Sequence, residues 1–251
     1  MAMRVPQLIG HRGYPQHHPE NTLCGLEAAA AAGACWLEID VQLSRDAVPV
    51  VIHDTDLRRT AGVAGSVLDM DYRQLRDVVV DERARLGSVR SAARLPRLAE
   101  TAEWLGGRPD LTLFVELKPQ SLRRHGAVAM LRRVMQDLTP VRERVVLISF
   151  RAGAVRAARR AGAACGWVTA RWDAAALQRA DALAPDFLFC DHRIVPDKTD
   201  LPAGPWRWAL YDIVDPEAAL AWSRRGAALI ETWAIGEMLT HPALAGAACG
   251  R

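Results

Sequence analysis

The sequence predicts an α/β protein, a (β/α)8 barrel with a small insertion between its second and third strands. Three observations carry that prediction. Short apolar, β-branched runs alternate with longer Ala/Leu/Arg segments of helical period along the whole chain, the rhythm of a parallel sheet covered by helices. The strand candidates number eight, the count that closes a barrel. The length of 251 residues, half of them hydrophobic, matches what such barrels use. An open doubly wound sheet is the competing architecture. It brings a glycine-rich phosphate loop after its first strand, and "GHRGYPQHHPEN" lacks the G-x-G-x-x-G pattern.

In chain order the strands are expected at 7–10, 35–43, 111–118, 144–150, 165–170, 187–190, 206–212 and 228–233. Helical stretches fill the intervals: "ENTLCGLEAAAAAG", "RLAETAEWLGG", "LRRHGAVAMLRRVMQDL", "AGAVRAARRAG", "DAAALQRADAL" and "PEAALAWSRRG". Several close on glycine, at Gly33, Gly162 and Gly226, the residue that tolerates a left-handed helix cap. One connection breaks the rhythm. The stretch from Ser44 to Pro96 far exceeds the usual βα loop of about 2–6 residues. It holds its own strand, "VPVVIHD", turn signals at "TAGVAGSV" and a helical pattern at "DYRQLRDVVVDERARL". We read residues 44–95 as an insertion over one barrel mouth, within a single domain spanning 1–251.

Composition excludes several classes. The net charge of +3 comes from 32 basic and 29 acidic residues, which gives no footprint for nucleic acid. The paired arginines (Arg58-Arg59, Arg123-Arg124, Arg132-Arg133, Arg159-Arg160, Arg224-Arg225) fall mostly at helical spacing and read as solvated faces. Five cysteines form no CxxC pair. Reduced thiols in a cytoplasmic protein are expected, rather than a disulfide framework or a zinc site. No uncharged apolar run reaches about 18 residues, so no membrane span is expected, and no signal peptide precedes the first strand.

The polar residues collect at strand ends, where a barrel of this kind keeps its chemistry. His11-Arg12 follows the first strand, Glu38 and Asp40 lie on the second, and Glu116 and Lys118 end the third. His53 ends the strand of the insertion. Alternation puts Glu38 and Asp40 on one side of their strand, and Glu116 and Lys118 on one side of theirs. If that side is the barrel interior, three carboxylates and a lysine meet in one pocket. Crowded carboxylates either raise a pKa or bind a cation. Oxygen donors suit one hard divalent ion, Mg2+ or Ca2+. His11 and His53 are the proton-transfer candidates, and Arg12 and Lys118 suit a phosphate. The set fits phosphodiester cleavage. His17, His18, His125 and His241 read as surface residues, Cys190 as a packing residue rather than a nucleophile, and Trp206, Trp208, Tyr211 and Trp233 as core by default.

"HRGYPQHHPENT", then "EIDVQLSRDAVPVVIHD", then "VELK" beyond the insertion together resemble the glycerophosphodiester phosphodiesterase family. The resemblance is dense over 8–60, clear at 94–118 and 144–150, and thinner to the C-terminus. It implies a TIM barrel with an insertion after the second strand. It also implies a divalent-metal site at Glu38, Asp40 and Glu116, an acid/base pair at His11 and His53, and phosphate contacts at Arg12 and Lys118. The implied reaction takes a small-molecule glycerophosphodiester and water to sn-glycerol 3-phosphate and an alcohol. Within the same chemistry, a lysophospholipase D-like activity on lysophospholipids is the alternative; a non-catalytic glycerophosphate-binding barrel is the other. The chain departs from the family near its end. "LYDIVD" puts Tyr211 where many members carry a tryptophan, and Glu231-Thr232-Trp233 stands where the last strand often ends in Thr-Asp. Tyr211 and Trp233 would suit an apolar or longer leaving group.

Overall fold

The computed structural model describes residues 5–87 and 93–249. Its eight parallel barrel strands are β1 (Gln7–Gly10), β2 (Trp36–Leu43), β3 (Thr112–Leu117), β4 (Val145–Ser149), β5 (Cys165–Thr169), β6 (Phe187–Asp191), β7 (Arg207–Tyr211) and β8 (Leu229–Thr232). Each pairs with its sequence neighbour, and β8 closes on β1 with Ile9 opposite Glu231. All eight expected strands are present.

Alternation along the strands sorts their side chains into two cores. Outward-facing Leu8, Leu37, Ile39, Leu113, Val115, Leu147 and Ile230 pack against the helices. Inward-facing Ile9, Phe114, Val146, Ile148, Phe187, Phe189 and Leu229 fill the barrel axis. Phe114 meets Phe187 and Phe189 edge-on, with ring centroids 5.0 and 5.1 Å apart, and stacks on Trp36. Aromatic pairs at these distances prefer such geometry. They fill the barrel axis below the C-terminal strand ends.

The helices begin where short polar side chains can cap them. Thr22 accepts from the Gly25 amide ahead of Leu23–Ala31, Asp173 from the Ala176 amide ahead of Ala174–Leu183, and Asp215 from the Glu217 amide ahead of Pro216–Arg224. The pattern expected as one helix over 122–138 is two, Pro119–His125 and Ala127–Leu138, divided at Gly126 with φ +82°. A glycine there tolerates the left-handed backbone that ends the first helix.

Between β2 and β3 the strand Pro49–Val51 runs antiparallel to β2. Beyond it Val50, Ile52, Leu57, Val67, Leu75, Val80 and Leu95 form a separate small core. The helix expected at "DYRQLRDVVVDERARL" does not form as one element. Tyr72–Leu75 and Arg83–Leu86 are single turns, and Val79–Val80 pairs with Ala93–Arg94 as a ribbon. Three consecutive valines favour strand, and burying Val80 in the small core outweighs continuing the helix. Residues 88–92 of the expected insertion lie outside the described residues. The segment is fastened to the stretch that follows β1: the Glu20 amide donates to Glu82 Oε2 at 2.7 Å, and Arg85 donates to the carbonyls of Pro15 and His18.

The cysteines correct one expectation. Cys35 and Cys249 form a disulfide with Cα atoms 5.1 Å apart, and Cys24, Cys165 and Cys190 take no part in a disulfide among the described residues. Barrel closure brings the C-terminal segment beneath the start of β2, where the Cys249 amide donates to the Gly33 carbonyl at 3.0 Å. The pair is 214 residues apart in sequence, a separation at which spacing carries no signal. Among the described residues no helix is long and apolar enough to cross a membrane.

Candidate active site

Inward alternation continues upward past the aromatic plug, and there it delivers polar residues. Glu38 and Asp40 follow Trp36 on β2, and Glu116 and Lys118 follow Phe114 on and after β3. Tyr211 follows Ala209 on β7, and Glu231 follows Leu229 on β8. They surround a cavity of about 160 Å3 lined by His11, Arg12, Glu38, His53, Glu116, Lys118, Tyr211, Asp212 and Glu231. Ile148, Phe150, Val168 and Phe189 form its apolar wall. Six of the seven residues singled out from the sequence therefore share one cavity. The seventh, Asp40, lies just behind its surface.

Asp40 is 1% exposed and is enclosed by donors. Lys118 Nζ lies 3.0 Å from Oδ1, Arg12 Nε 3.0 Å from Oδ2, and Asn21 Nδ2 donates to Oδ2 at 2.9 Å. The Asn21 side chain returns the contact by accepting from the Asp40 amide at 3.0 Å. Burial alone would raise the Asp40 carboxyl, but Lys118 and Arg12 hold it well below the usual carboxylate range. Lys118 also lies 3.1 Å from Glu116 Oε1, bridging two carboxylates. Arg12 and Asn21 both adopt left-handed backbone, with φ +56° and +57°. Sparsely populated conformations of this kind collect where a site fixes its side chains.

Oxygen atoms of Glu38, Asp40 and Glu116 lie within 4.8 Å of one another, and all three residues are buried. Burial and the charges of Asp40, Glu231 and Glu116 push the Glu38 carboxyl well above its ordinary value. Burial likewise raises Glu116, against the pull of Lys118. Crowded, desolvated carboxylates offering only oxygen could hold a hard divalent cation, which would relieve that repulsion.

The two histidines stand in different surroundings. His11 has Nδ1 3.5 Å from Asp212 Oδ1 and Nε2 3.9 Å from Glu38 Oε2. Burial would lower its pKa, but Glu231 and Asp212 outweigh burial and raise it. His53 is lowered, by burial first and then by Arg12 and Lys118. Its Nδ1 pairs with Asp54 Oδ1 at 2.7 Å, and Arg59 donates to the other Asp54 oxygen at 2.6 Å. Arg59 also grips Glu20 with two bonds of 2.7 and 2.9 Å, and Arg12 reaches Glu20 at 3.1 Å. One chain of charges thus runs from His53 through Asp54, Arg59 and Glu20 to Arg12 and Asp40.

Glu20, Asn21, Asp54, Arg59, Asp212 and Glu231 have no role in the sequence reading. Glu20 and Asn21 stand inside the quoted "HHPENT", but nothing in a single sequence says that they reach Arg59 or Asp40. Glu231 was findable: in "LIET" the position two beyond the inward Leu229 faces inward too. Its carboxyl is pushed up to about 7, chiefly by burial. Of the other candidates, Trp206 and Trp208 are core residues packed edge to face. Trp233 is 47% exposed and does not line the cavity. His17 is exposed and pairs with Glu237 at 2.6 Å. Cys190 is fully buried with its thiol pushed up to about 12 by burial, which leaves it inert.

The model of the glycerophosphoryl diester phosphodiesterase family matches residues 11–190. A glycerophosphodiester phosphodiesterase of Bacillus altitudinis is 31% identical over 151 residues, 60% of this chain and 60% of that protein. Glycerophosphodiester phosphodiesterase 1 of Homo sapiens is 31% identical over 143 residues, 57% of this chain and 42% of that protein. The matched region thus spans less than two thirds of these relatives' own length. Among solved structures, an Oleispira antarctica phosphodiesterase in complex with the product sn-glycerol-3-phosphate superposes with a TM-score of 0.79 at 24% identity, covering 94% of this chain and 96% of that one. A glycerophosphodiester phosphodiesterase from Parabacteroides distasonis gives 0.74 at 19%, covering 96% of both chains. At those identities the likeness is one of fold.

Proposed function

Because the chain belongs to the glycerophosphoryl diester phosphodiesterase family, we propose that it hydrolyses glycerophosphodiesters to sn-glycerol 3-phosphate and an alcohol, as a single barrel domain with an insertion over about 44–95. The observation that carries this reading is the convergence of two histidines, two cationic side chains and the carboxylates of Glu38 and Glu116 on one cavity, with Asp40 just behind its surface. The product bound by the Oleispira antarctica protein supports the same chemistry for this fold. We place the reaction in phospholipid and glycerol metabolism.

Glu38, Asp40 and Glu116 would hold one Mg2+ or Ca2+, whose charge would offset that of the phosphoryl oxygens when bound. Arg12 and Lys118 flank those carboxylates and orient the phosphate from the same side. His53, biased toward its neutral form, takes the proton of the attacking hydroxyl, with Asp54 fixing its ring. His11, biased toward its protonated form, donates to the departing alkoxide. Water adds across the P–O bond: its hydroxyl stays on phosphorus and its proton leaves with the alcohol.

The test is release of sn-glycerol 3-phosphate from glycerophosphocholine by purified protein with Mg2+, with Ca2+ and with chelator. Release that needs the cation is expected. His11→Ala and His53→Ala should each lower kcat by about 10²–10⁴ while the protein stays folded. Folded protein that releases product from no glycerophosphodiester under any cation overturns the reading.

A further inference from the structure

One wall of the cavity is given no contact with the substrate in that scheme. Tyr211, Asp212 and Glu231 stand at the ends of β7 and β8 and face the cavity, with Phe189 on the adjoining β6. Glu231 is the anomaly among them. It is 4% exposed, and its Oε1 has no hydrogen-bond partner. Among the described residues no Lys, Arg or His nitrogen approaches it within ion-pair distance. Leaving a buried acceptor unsatisfied is unfavourable in any fold, and more so for a carboxylate. Such a group persists where a ligand completes it.

We propose that Glu231 determines substrate specificity by accepting a hydrogen bond from a hydroxyl of the substrate's glycerol arm. The inference rests on the phosphodiesterase reading and names which part of the substrate lies where. Arg12 and Lys118, the cationic side chains that line the cavity, stand on the side of Asp40, Glu20 and Glu116, where that reading puts the phosphate. Glu38, Asp40 and Glu116 are the oxygen donors for the cation. The carboxylates left to accept a polyol's hydroxyl protons are Glu231 and Asp212, and Asp212 is held by His11 and by Arg193 at 3.2 Å. Ligand atoms of His11, Glu38 and Glu231 lie within 4.8 Å of one another, spacing that admits one bridging oxygen between His11 and Glu231. The apolar wall beside it receives the carbon face of the arm. A site built to bond a substrate hydroxyl discriminates against the analogue that lacks it.

The experiment is calorimetric binding of two ligands at saturating Mg2+: sn-glycerol 3-phosphate, and propyl phosphate, which has no hydroxyl. The wild type should prefer the first. Glu231→Leu should weaken sn-glycerol 3-phosphate by about 10–100-fold with propyl phosphate held within twofold, and Glu231→Gln, which keeps an acceptor, should restore most of the loss. Equal weakening of both ligands, or of neither, overturns the proposal. So does metal analysis giving two ions per chain in the wild type and one in Glu231→Leu, which would assign His11, Glu38 and Glu231 to a second cation. The parent reading fails separately. If the wild type turns over no glycerophosphodiester yet shows the Glu231-dependent preference, hydrolysis falls and Glu231 stands. If turnover proceeds and Glu231→Leu binds as the wild type does, the reverse holds.

Discussion

Glu20 and Glu231 are both buried glutamates at the barrel mouth, 6% and 4% exposed, and they stand in opposite environments. Glu20 lies between two guanidinium groups, with Arg59 forked onto both of its oxygens and Arg12 on one. Its carboxyl would be raised by burial but is lowered by those arginines. Glu231 has no such partner, and burial raises its carboxyl to about 7. The cations Arg12 and Lys118 of the cavity, and Arg59 behind them, come from the first half of the chain, and so do the carboxylates they neutralise. The wall from the second half contributes Asp212 and Glu231. One side of the cavity is therefore an internally neutralised anion-and-cation lattice, and on the other Asp212 is held by His11 and Arg193 while Glu231 awaits a donor. A pocket polarised in this way orients a substrate before any bond is made.

The largest effect should come from breaking the neutralised side. Lys118→Ala leaves Asp40 and Glu116 facing each other without their bridge. Removing one partner of a buried ion pair destabilises by about 3–5 kcal/mol, a fall in Tm of roughly 6–20 °C for a chain of this size, read by calorimetry in chelator. Mg2+ or Ca2+ should recover part of that fall; a variant as stable as the wild type would show that the lattice is not under load. Glu20→Gln comes next, at about 2 kcal/mol. Its sign with pH is fixed by a lowered folded pKa. The stability Glu20 supplies is present above the ordinary glutamate value of 4.5 and is lost as pH falls through the lower folded value. Wild type and Glu20→Gln should thus differ at pH 7 and converge in acid, which urea unfolding at a series of pH values would follow.

The same division explains what the sequence disclosed. The ring of eight strands was legible because each carries a run of β-branched and aromatic residues whose burial does not depend on its partners. His11, Glu38, Asp40, His53, Glu116 and Lys118 were legible because they sit on or beside strands whose alternation points them inward. Arg59 and Asp54 were not. They act from a turn of the inter-strand segment, and their partners Glu20 and His53 are set by how that turn folds back. The 71–86 stretch misled for a related reason. Its helical period is real, but Val80 is drawn into a core supplied by Val50, Leu57 and Leu95, which are distant in sequence. The Cys35–Cys249 disulfide follows from closure of the ring, a property no local window contains.

The smallest effect runs opposite in sign to the others. Glu231→Gln removes a buried carboxylate that stands against Glu38 and Asp212, so it should stabilise the cation-free protein. A folded pKa raised from 4.5 to about 7 means that the wild type is at full strength below 4.5 and weakens as pH rises toward about 7. Each pKa unit represents about 1.4 kcal/mol. The amide gives back part of that through its own desolvation, so a gain of about 1–2 kcal/mol is expected at pH 8 in chelator, shrinking to nothing at pH 4. Urea unfolding of the two proteins at those pH values decides it. A variant that loses stability at pH 8 would mean that Glu231 already has a partner within the fold. The contrast between the two buried glutamates would then collapse, and the substrate hydroxyl would have no vacant acceptor to meet.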